Sequence, residues 1–309
     1  MDSPPKLGIR RPRNSPILVE SSPINEQILS IFEESDDRMG ESGSAGLVKR
    51  VSVPDTDGVK DYVVKRSSIV TREQLKVFTQ EADIFKRLSQ NPLTARYVPK
   101  YVSRTVLGNY GYIVQEYEPV VELLSYLNHL AYVKAFFPKE IGIRVYEELI
   151  RAVKAFHDAE ILHNDIKPEN ILLKLDGSGN PTGGVLLIDF GTACYGSPCY
   201  DSDIKGSVEY WPNFVQTNAN LRSPYNKPTE NYSLGKVLNY IVDFTDGISR
   251  EEYKENIERN FFQPGLREYR RRKLTRSSSP NGNNSVRGRR KNTRKQNQKQ
   301  KQKHRSLGL

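Results

Sequence analysis

The chain has 309 residues, 36% of them hydrophobic, and carries a formal net charge of +10. That length allows one large domain or two small ones, and that apolar share supports a sizeable core. No run nears the ~18 apolar residues of a membrane span; Met1-Asp2-Ser3-Pro4-Pro5 lacks the apolar centre of a secretory signal; two cysteines cannot make a disulfide scaffold or a four-ligand zinc site.

The expectation is an intracellular protein of cytoplasm or nucleus with no membrane partner. The charge is unevenly placed. From Arg267 to Leu309 sixteen Lys/Arg face one acid, Glu268, so that segment carries +15 and the other 266 residues carry −5. An acidic body with a basic arm is expected.

Residues 1–25 are rich in Pro, Ser and Arg and read as disordered. The runs Leu47–Val51 and Tyr62-Val63-Val64, separated by Pro54-Asp55 and Gly58, predict a hairpin or meander. Thr71 to Leu88 places Leu75, Phe78, Ala82 and Phe85 at helical spacing, with Thr71 and Gln74 as a capping box. Tyr112-Ile113-Val114 returns to strand. From residue 119 the helical period dominates, with Val145, Leu149, Val153 and Phe156 on one stripe. Residues 267–309 hold almost nothing apolar and read as a disordered basic tail. A β-rich lobe with one helix over 26–118, followed by a mainly helical lobe over 119–266, predicts an α+β fold in two lobes.

The densest chemistry lies in His163-Asn164-Asp165-Ile166-Lys167-Pro168-Glu169-Asn170-Ile171-Leu172-Leu173, followed by Leu186-Leu187-Ile188-Asp189-Phe190-Gly191. Two acids and an amide oxygen at strand ends suit Mg²⁺, which prefers oxygen ligands. A separate aspartate can orient a hydroxyl and accept its proton. Cys194 and Cys199 follow at once and read as two small, buried or half-buried thiols rather than a redox switch.

These two segments match the catalytic-loop pattern H-x-D-x-K-x-x-N and the metal-binding D-F-G in the right order, and the chain resembles the eukaryotic-type serine/threonine protein kinases. The resemblance implies a bilobal fold: N-lobe and hinge over 26–118, a shortened C-lobe over 119–266. It implies Asp165 as catalytic base, Lys167 steadying the transferred phosphoryl group, and Asn170 and Asp189 as ligands of Mg²⁺, with Mn²⁺ as the alternative. ATP would be the cofactor. Lys65 would hold its α/β-phosphates and Glu81 would pair with Lys65. Gly43 and Gly46 would cradle phosphates, although Glu41 stands where the family's first glycine belongs. Val48, Val63 and Leu172 would sandwich adenine beside a Gln115 gatekeeper. The Glu116 carbonyl and Glu118 backbone would bond the base, and Glu122 the ribose. Ser207, in Gly206-Ser207-Val208-Glu209-Tyr210, would touch the catalytic Asp and Lys, and with Lys167 favours Ser/Thr acceptors in protein substrates.

The departures are specific. Asn164 replaces the arginine that normally receives an activation-loop phosphate, so switching by that phosphate is not expected. Trp211-Pro212-Asn213 stands in place of A-P-E. Glu230-Asn231-Tyr232-Ser233-Leu234-Gly235 resembles D-x-W-S-x-G with Glu for Asp. Asp176–Gly184 reads as a lengthened turn. The compaction and the His-Asn-Asp loop resemble divergent kinases of large DNA viruses. A pseudokinase scaffold and a nucleic-acid-associated protein, driven by the tail, are the alternatives; intact Lys65, Asp165, Asn170 and Asp189 weigh against both. Lys167 and Asp-Phe-Gly weigh against a small-molecule phosphotransferase.

Overall fold

The first strand pair follows from alternation. Strands β1 (Leu47–Asp55) and β2 (Gly58–Ser68) pair antiparallel from Asp55↔Gly58 to Leu47↔Arg66. Strands β3 (Tyr101–Leu107) and β4 (Tyr110–Glu116) complete a four-stranded sheet in the order β1-β2-β4-β3. This computed structural model describes residues 23–35, 46–56, 58–196, 206–212 and 226–264.

Period-two alternation gives the sheet two different faces. Lys49, Val51 and Val53 of β1, Tyr62 and Val64 of β2, and Tyr112 and Val114 of β4 are buried on one face. Helix α1 (Pro23–Glu34) covers it with Ile28, Leu29 and Phe32. Lys49 Nζ donates to the carbonyls of Phe32, at 2.7 Å, and Ser35, at the end of α1, where the helix dipole is negative. Glu33 accepts from Arg66 at 2.9 Å and from the Tyr112 hydroxyl at 2.8 Å. The helix takes in residues 23–25 of the segment expected to be disordered. Proline suits a first helical position, and Asn25 Oδ1 accepts from the buried Ser103 hydroxyl at 2.9 Å.

The other face carries Val63 and Lys65 and, toward β3, meets helix α2 (Arg72–Gln90). The capping box forms as expected: Gln74 N–H donates to Thr71 Oγ1 at 3.1 Å and Thr71 N–H to Gln74 Oε1 at 3.0 Å. Phe78 and Ile69 press on Gly111 of β4, where a Cβ would sit 2.6 Å from both side chains.

The second lobe is built on α3 (Leu123–Val133), α4 (Lys139–Asp158), α5 (Lys227–Asp243) and α6 (Arg250–Ile257). The expected stripe Val145, Leu149, Val153 and Phe156 is fully buried against Val237, Leu238 and Ile241 of α5 and their neighbours. Facing the first lobe, β5 (Val120–Glu122), β7 (Ile171–Leu175) and β8 (Pro181–Leu187) form an antiparallel sheet, and β6 (Ile161–Leu162) pairs with β9 (Cys194–Tyr195). The stretch read as a lengthened turn is divided: residues 176–180 turn, while Pro181–Gly184 belong to β8. Asp176 Oδ1 tightens the turn by accepting from the Ser178 and Asn180 amides at 2.8 and 2.9 Å. No helix among the described residues is long and apolar enough to cross a membrane.

The α1 contact is the first element to test. Phe32 is fully buried, so Phe32→Ala is expected to cost about 3 kcal/mol in urea unfolding. A loss below about 1 kcal/mol would mean that α1 is not part of the core.

Candidate active site

The loop between β6 and β7 gathers Asp165, Lys167 and Asn170. Ile166, 1% exposed, is drawn into the apolar core and pins its middle. Pro168 opens a single 3₁₀ turn, Pro168–Asn170, with its fixed φ. Asn164 lies at φ +66°, a left-handed conformation that asparagine tolerates. Asn170 Nδ2 closes the loop by donating to the Asp165 carbonyl and to Asp165 Oδ2, both at 2.9 Å. His163 braces it from behind, its Nε2 2.9 Å from the Ile188 carbonyl.

Beneath the loop lies a buried carboxylate whose role composition does not announce. Glu230 of α5 accepts from the Asn164 amide at 2.6 Å, and its other oxygen lies 2.9 Å from His157 Nε2 at the end of α4. Lys227 Nζ donates to the His157 carbonyl at 2.8 Å. Asn226 starts α5 by accepting from Thr229 N–H at 2.9 Å. Burial, the largest influence on Glu230, would raise its pKa, but the His157 ring and the Asn164 amide outweigh it and hold the pKa below the ordinary value.

Lys65 and Glu81 meet as expected. Lys65 Nζ lies 2.7 Å from Glu81 Oε1 and 2.8 Å from Asp189 Oδ1. Burial, the largest influence, opposes the ammonium charge, yet the two carboxylates together outweigh it and hold the lysine well above its ordinary pKa. Burial pushes Glu81 up against the pull of Lys65. Burial also works against the Asp189 carboxylate, but Lys65 draws it below the ordinary range. Asp189 sits at φ +63°. The next residue, Phe190, is buried and stacks on Phe85 of α2 at 5.5 Å between centroids, with His163 at 5.3 Å.

Ser207 joins the loop residues. Its backbone N–H donates to Asp165 Oδ1 at 2.7 Å, and its hydroxyl accepts from Lys167 Nζ at 2.8 Å. Lys167 also pairs with Asp165 Oδ2 at 3.0 Å. The hydroxyl thus engages Lys167 alone of the expected two, and Asp165 is met by the peptide. Gly206, at φ +111°, allows this approach, since a Cβ there would lie 2.7 Å from the Asn164 carbonyl.

The residues expected around a base are spread over both lobes. Val48 is opposite Lys65 and Val63 opposite Gln115, both half-buried. Leu172 of β7 pairs with Glu122 of β5. The Glu116 side chain is taken by Lys60 and Lys100, each at 2.9 Å, and Glu118 by Lys174 at 3.0 Å. Glu122 accepts from the Ser125 hydroxyl at 3.2 Å, and burial pushes its pKa up. Gly46, at φ +105°, passes so close to β2 that a Cβ would lie 2.3 Å from the Arg66 carbonyl. Gly43 and Glu41 lie outside the described residues.

Asp189 and Asn170 offer oxygen to a cation, and among the described residues no cluster of three or more His, Cys, Asp or Glu could hold a metal alone. A carboxylate and an amide oxygen are the donor types a hard, oxygen-preferring ion takes. One expectation is corrected. Cys194 is not a thiol but is disulfide-bonded, and its sulfur accepts from Asn164 Nδ2 at 3.0 Å. Cys199 lies outside the described residues.

A β-rich lobe whose lysine is pinned by a helix carboxylate, set over an Asp-Lys-Asn loop and an Asp-Phe-Gly strand end, defines the architecture of a protein kinase. The protein kinase domain model matches residues 34–301, and the chain belongs to the eukaryotic-type protein kinase family. A citron Rho-interacting kinase of Mus musculus is 30% identical over 223 residues, 69% of this chain and 10% of that protein. The serine/threonine-protein kinase ppk21 of Schizosaccharomyces pombe is 31% identical over 219 residues, 65% of this chain and 37% of the relative. The chain thus spans about a tenth of the length of the citron kinase. The crystal structure of the PF14_0431 kinase domain shares the fold with a TM-score of 0.53 and 23% identity, covering 70% of this chain and 67% of that one.

Glu230 gives a pH test. A carboxyl with a lowered folded-state pKa contributes stability that is complete above the ordinary value and lost as pH falls through the folded value. Glu230→Gln is expected to be less stable at pH 7 by about 1–3 kcal/mol. Going down from pH 4.5, the ordinary glutamate value, that gap should narrow. An equal gap at about pH 3 would show that Glu230 does not titrate with the fold.

Proposed function

We propose that this protein is an ATP-dependent serine/threonine protein kinase. The carrying observation is the Lys65 ammonium held between Glu81 and Asp189 at 2.7 and 2.8 Å. A phosphate-holding lysine poised by a helix carboxylate and facing a metal-ligand aspartate is the arrangement phosphoryl transfer needs. A pseudokinase requires no such pairing.

On this reading Asp165 orients the acceptor hydroxyl and takes its proton. The hydroxyl oxygen bonds to the γ-phosphorus as the bond to the ADP oxygen breaks, and Lys167 offsets the charge that builds on the transferred group. Lys65 holds the α/β-phosphates. Asn170 and Asp189 hold Mg²⁺, or Mn²⁺, which when bound neutralises charge on the phosphates. Val48, Val63 and Leu172 close on adenine; the Glu116 and Glu118 backbones and Glu122 meet base and ribose; Gly43 and Gly46 line the phosphates. Lys167 and Ser207, 2.8 Å apart beside Asp165, support Ser/Thr over Tyr.

Asp165→Asn and Asp189→Asn are each expected to lower phosphoryl transfer to a protein substrate by about 10²-fold or more; melting temperature should change little in Asp165→Asn but fall in Asp189→Asn, which leaves Lys65 with one carboxylate. Hydrolysed product should yield phosphoserine and phosphothreonine. Wild-type rates in Asp165→Asn, or phosphotyrosine as the main product, would sink this reading.

The +15 tail supports an accessory role in binding nucleic acid or another polyanion, and a nuclear or cytoplasmic address. A chain ending at Pro264 should keep activity on a short peptide but lose DNA and RNA affinity. The full chain's affinity should fall steeply between about 50 and 200 mM salt. Equal affinities of the two chains would remove that role.

A further inference from the structure

The segment after Asp189 is gripped from two directions through consecutive peptide groups. The Thr192 carbonyl accepts from Asn164 Nδ2 of the catalytic loop at 3.0 Å. The Ala193 carbonyl accepts from Gln80 Nε2 of α2 at 2.8 Å. Ala193 is extended, at φ −68° and ψ 151°, a polyproline II conformation in which successive carbonyls point in different directions. One therefore faces the helix of the first lobe and the other the loop of the second. Both donors are sequence neighbours of the site: Gln80 precedes Glu81, and Asn164 precedes Asp165. Further bonds fix the strip between them. Thr192 Oγ1 donates to the His163 carbonyl at 2.9 Å, Gly196 N–H to the Glu160 carbonyl at 2.7 Å, and β9 pairs with β6.

We propose that Gln80 and Asn164 are a clasp. Through the Thr192–Ala193 backbone they hold α2 and the catalytic loop in register, and so keep Lys65, Glu81 and Asp189 assembled without a phosphate on the segment between Gly191 and Trp211. Both donors are uncharged carboxamides and both acceptors are peptide carbonyls, so the grip needs no anion. An arginine at position 164 would need one to discharge its buried charge. The clasp rests on the kinase reading only where activity is the measure; its geometry can be tested without it. Gln80 and Asn164 act here as positioning residues, one bond removed from the reacting groups.

The test uses the full chain after phosphatase treatment, with hydrogen exchange of residues 190–196 and of α2 beside steady-state kinetics. Asn164→Gly keeps the left-handed backbone and removes the donor; Gln80→Leu removes the other donor from a half-buried position, and Gln80→Lys restores one. Each loss should speed exchange in both segments and lower kcat about tenfold, the effect of one hydrogen bond. KM for the peptide should stay nearly constant, and Gln80→Lys should recover most of the rate. The double variant should fall by less than the product of the two losses, since either break frees the same strip. Exchange and kcat unchanged in both single variants would overturn the clasp. So would independent, multiplying losses, or a wild type that phosphatase inactivates and rephosphorylation revives. Absence of any transfer by the wild type sinks the kinase reading instead, while the exchange arm still decides the clasp.

Discussion

One ammonium group holds the architecture together. Lys65 belongs to the sheet, Glu81 to α2 and Asp189 to the strand end of the second lobe, and the three meet within 2.8 Å. A buried lysine is costly unless its charge is answered. Here two carboxylates answer it, and their pull outweighs desolvation. The consequence is positional. α2 must sit close enough for Glu81, and the Asp189 turn must take its left-handed backbone, or the cation is left partly unpaired. Phe190, carried by the same turn, then lands on Phe85 and beside His163. A polar triad and an aromatic stack therefore report on one another across the molecule.

The second lobe solves a related problem with the opposite charge. The loop that carries Asp165 turns through Asn164 with its amide pointing inward, and a buried amide needs an acceptor. Glu230 supplies one from α5 and uses its second oxygen on His157 of α4. Three elements are thus tied at a point 1% exposed, as judged on the Glu230 side chain. Such a foundation lets Asp165, Lys167 and Asn170 be placed by rigid elements rather than by the loop alone.

Much of this was legible in residue order. Spacing within His163–Asn170 and Leu186–Gly191 fixed the loop and the strand end. The capping box located α2, and alternation located β1 and β2. Three features were not legible for physical reasons. Helix α1 lies partly in Pro/Ser-rich sequence, and its apolar face of Ile28, Leu29 and Phe32 is too short to register without the sheet face that buries it. Glu230 stands out by its likeness to the first residue of D-x-W-S-x-G, but its partners His157 and Asn164 show only once the fold brings them to it. Pro181–Gly184 reads as turn because proline and glycine punctuate it, yet pairing with β7 overrides that local preference. Contacts made through backbone atoms, such as Ser207 N–H to Asp165, leave no trace in side-chain identity.

Asn164 shows how a substitution can change the kind of device a site is, beyond its strength. A switch needs two states of similar free energy and an input that prefers one of them. A buried arginine awaiting a phosphate provides that: unpaired it is destabilising, and paired it is not. Asparagine at the same place removes the penalty of the unpaired state. Its carboxamide finds Thr192 and Cys194 within the chain itself, so its donor is satisfied with no charge to discharge. The left-handed backbone that the loop imposes on position 164 also suits asparagine better than most side chains. Local conformation and the lost charge therefore favour the same residue, and the Asn164 side chain grips the Thr192 carbonyl by a neutral bond that ionic strength scarcely weakens.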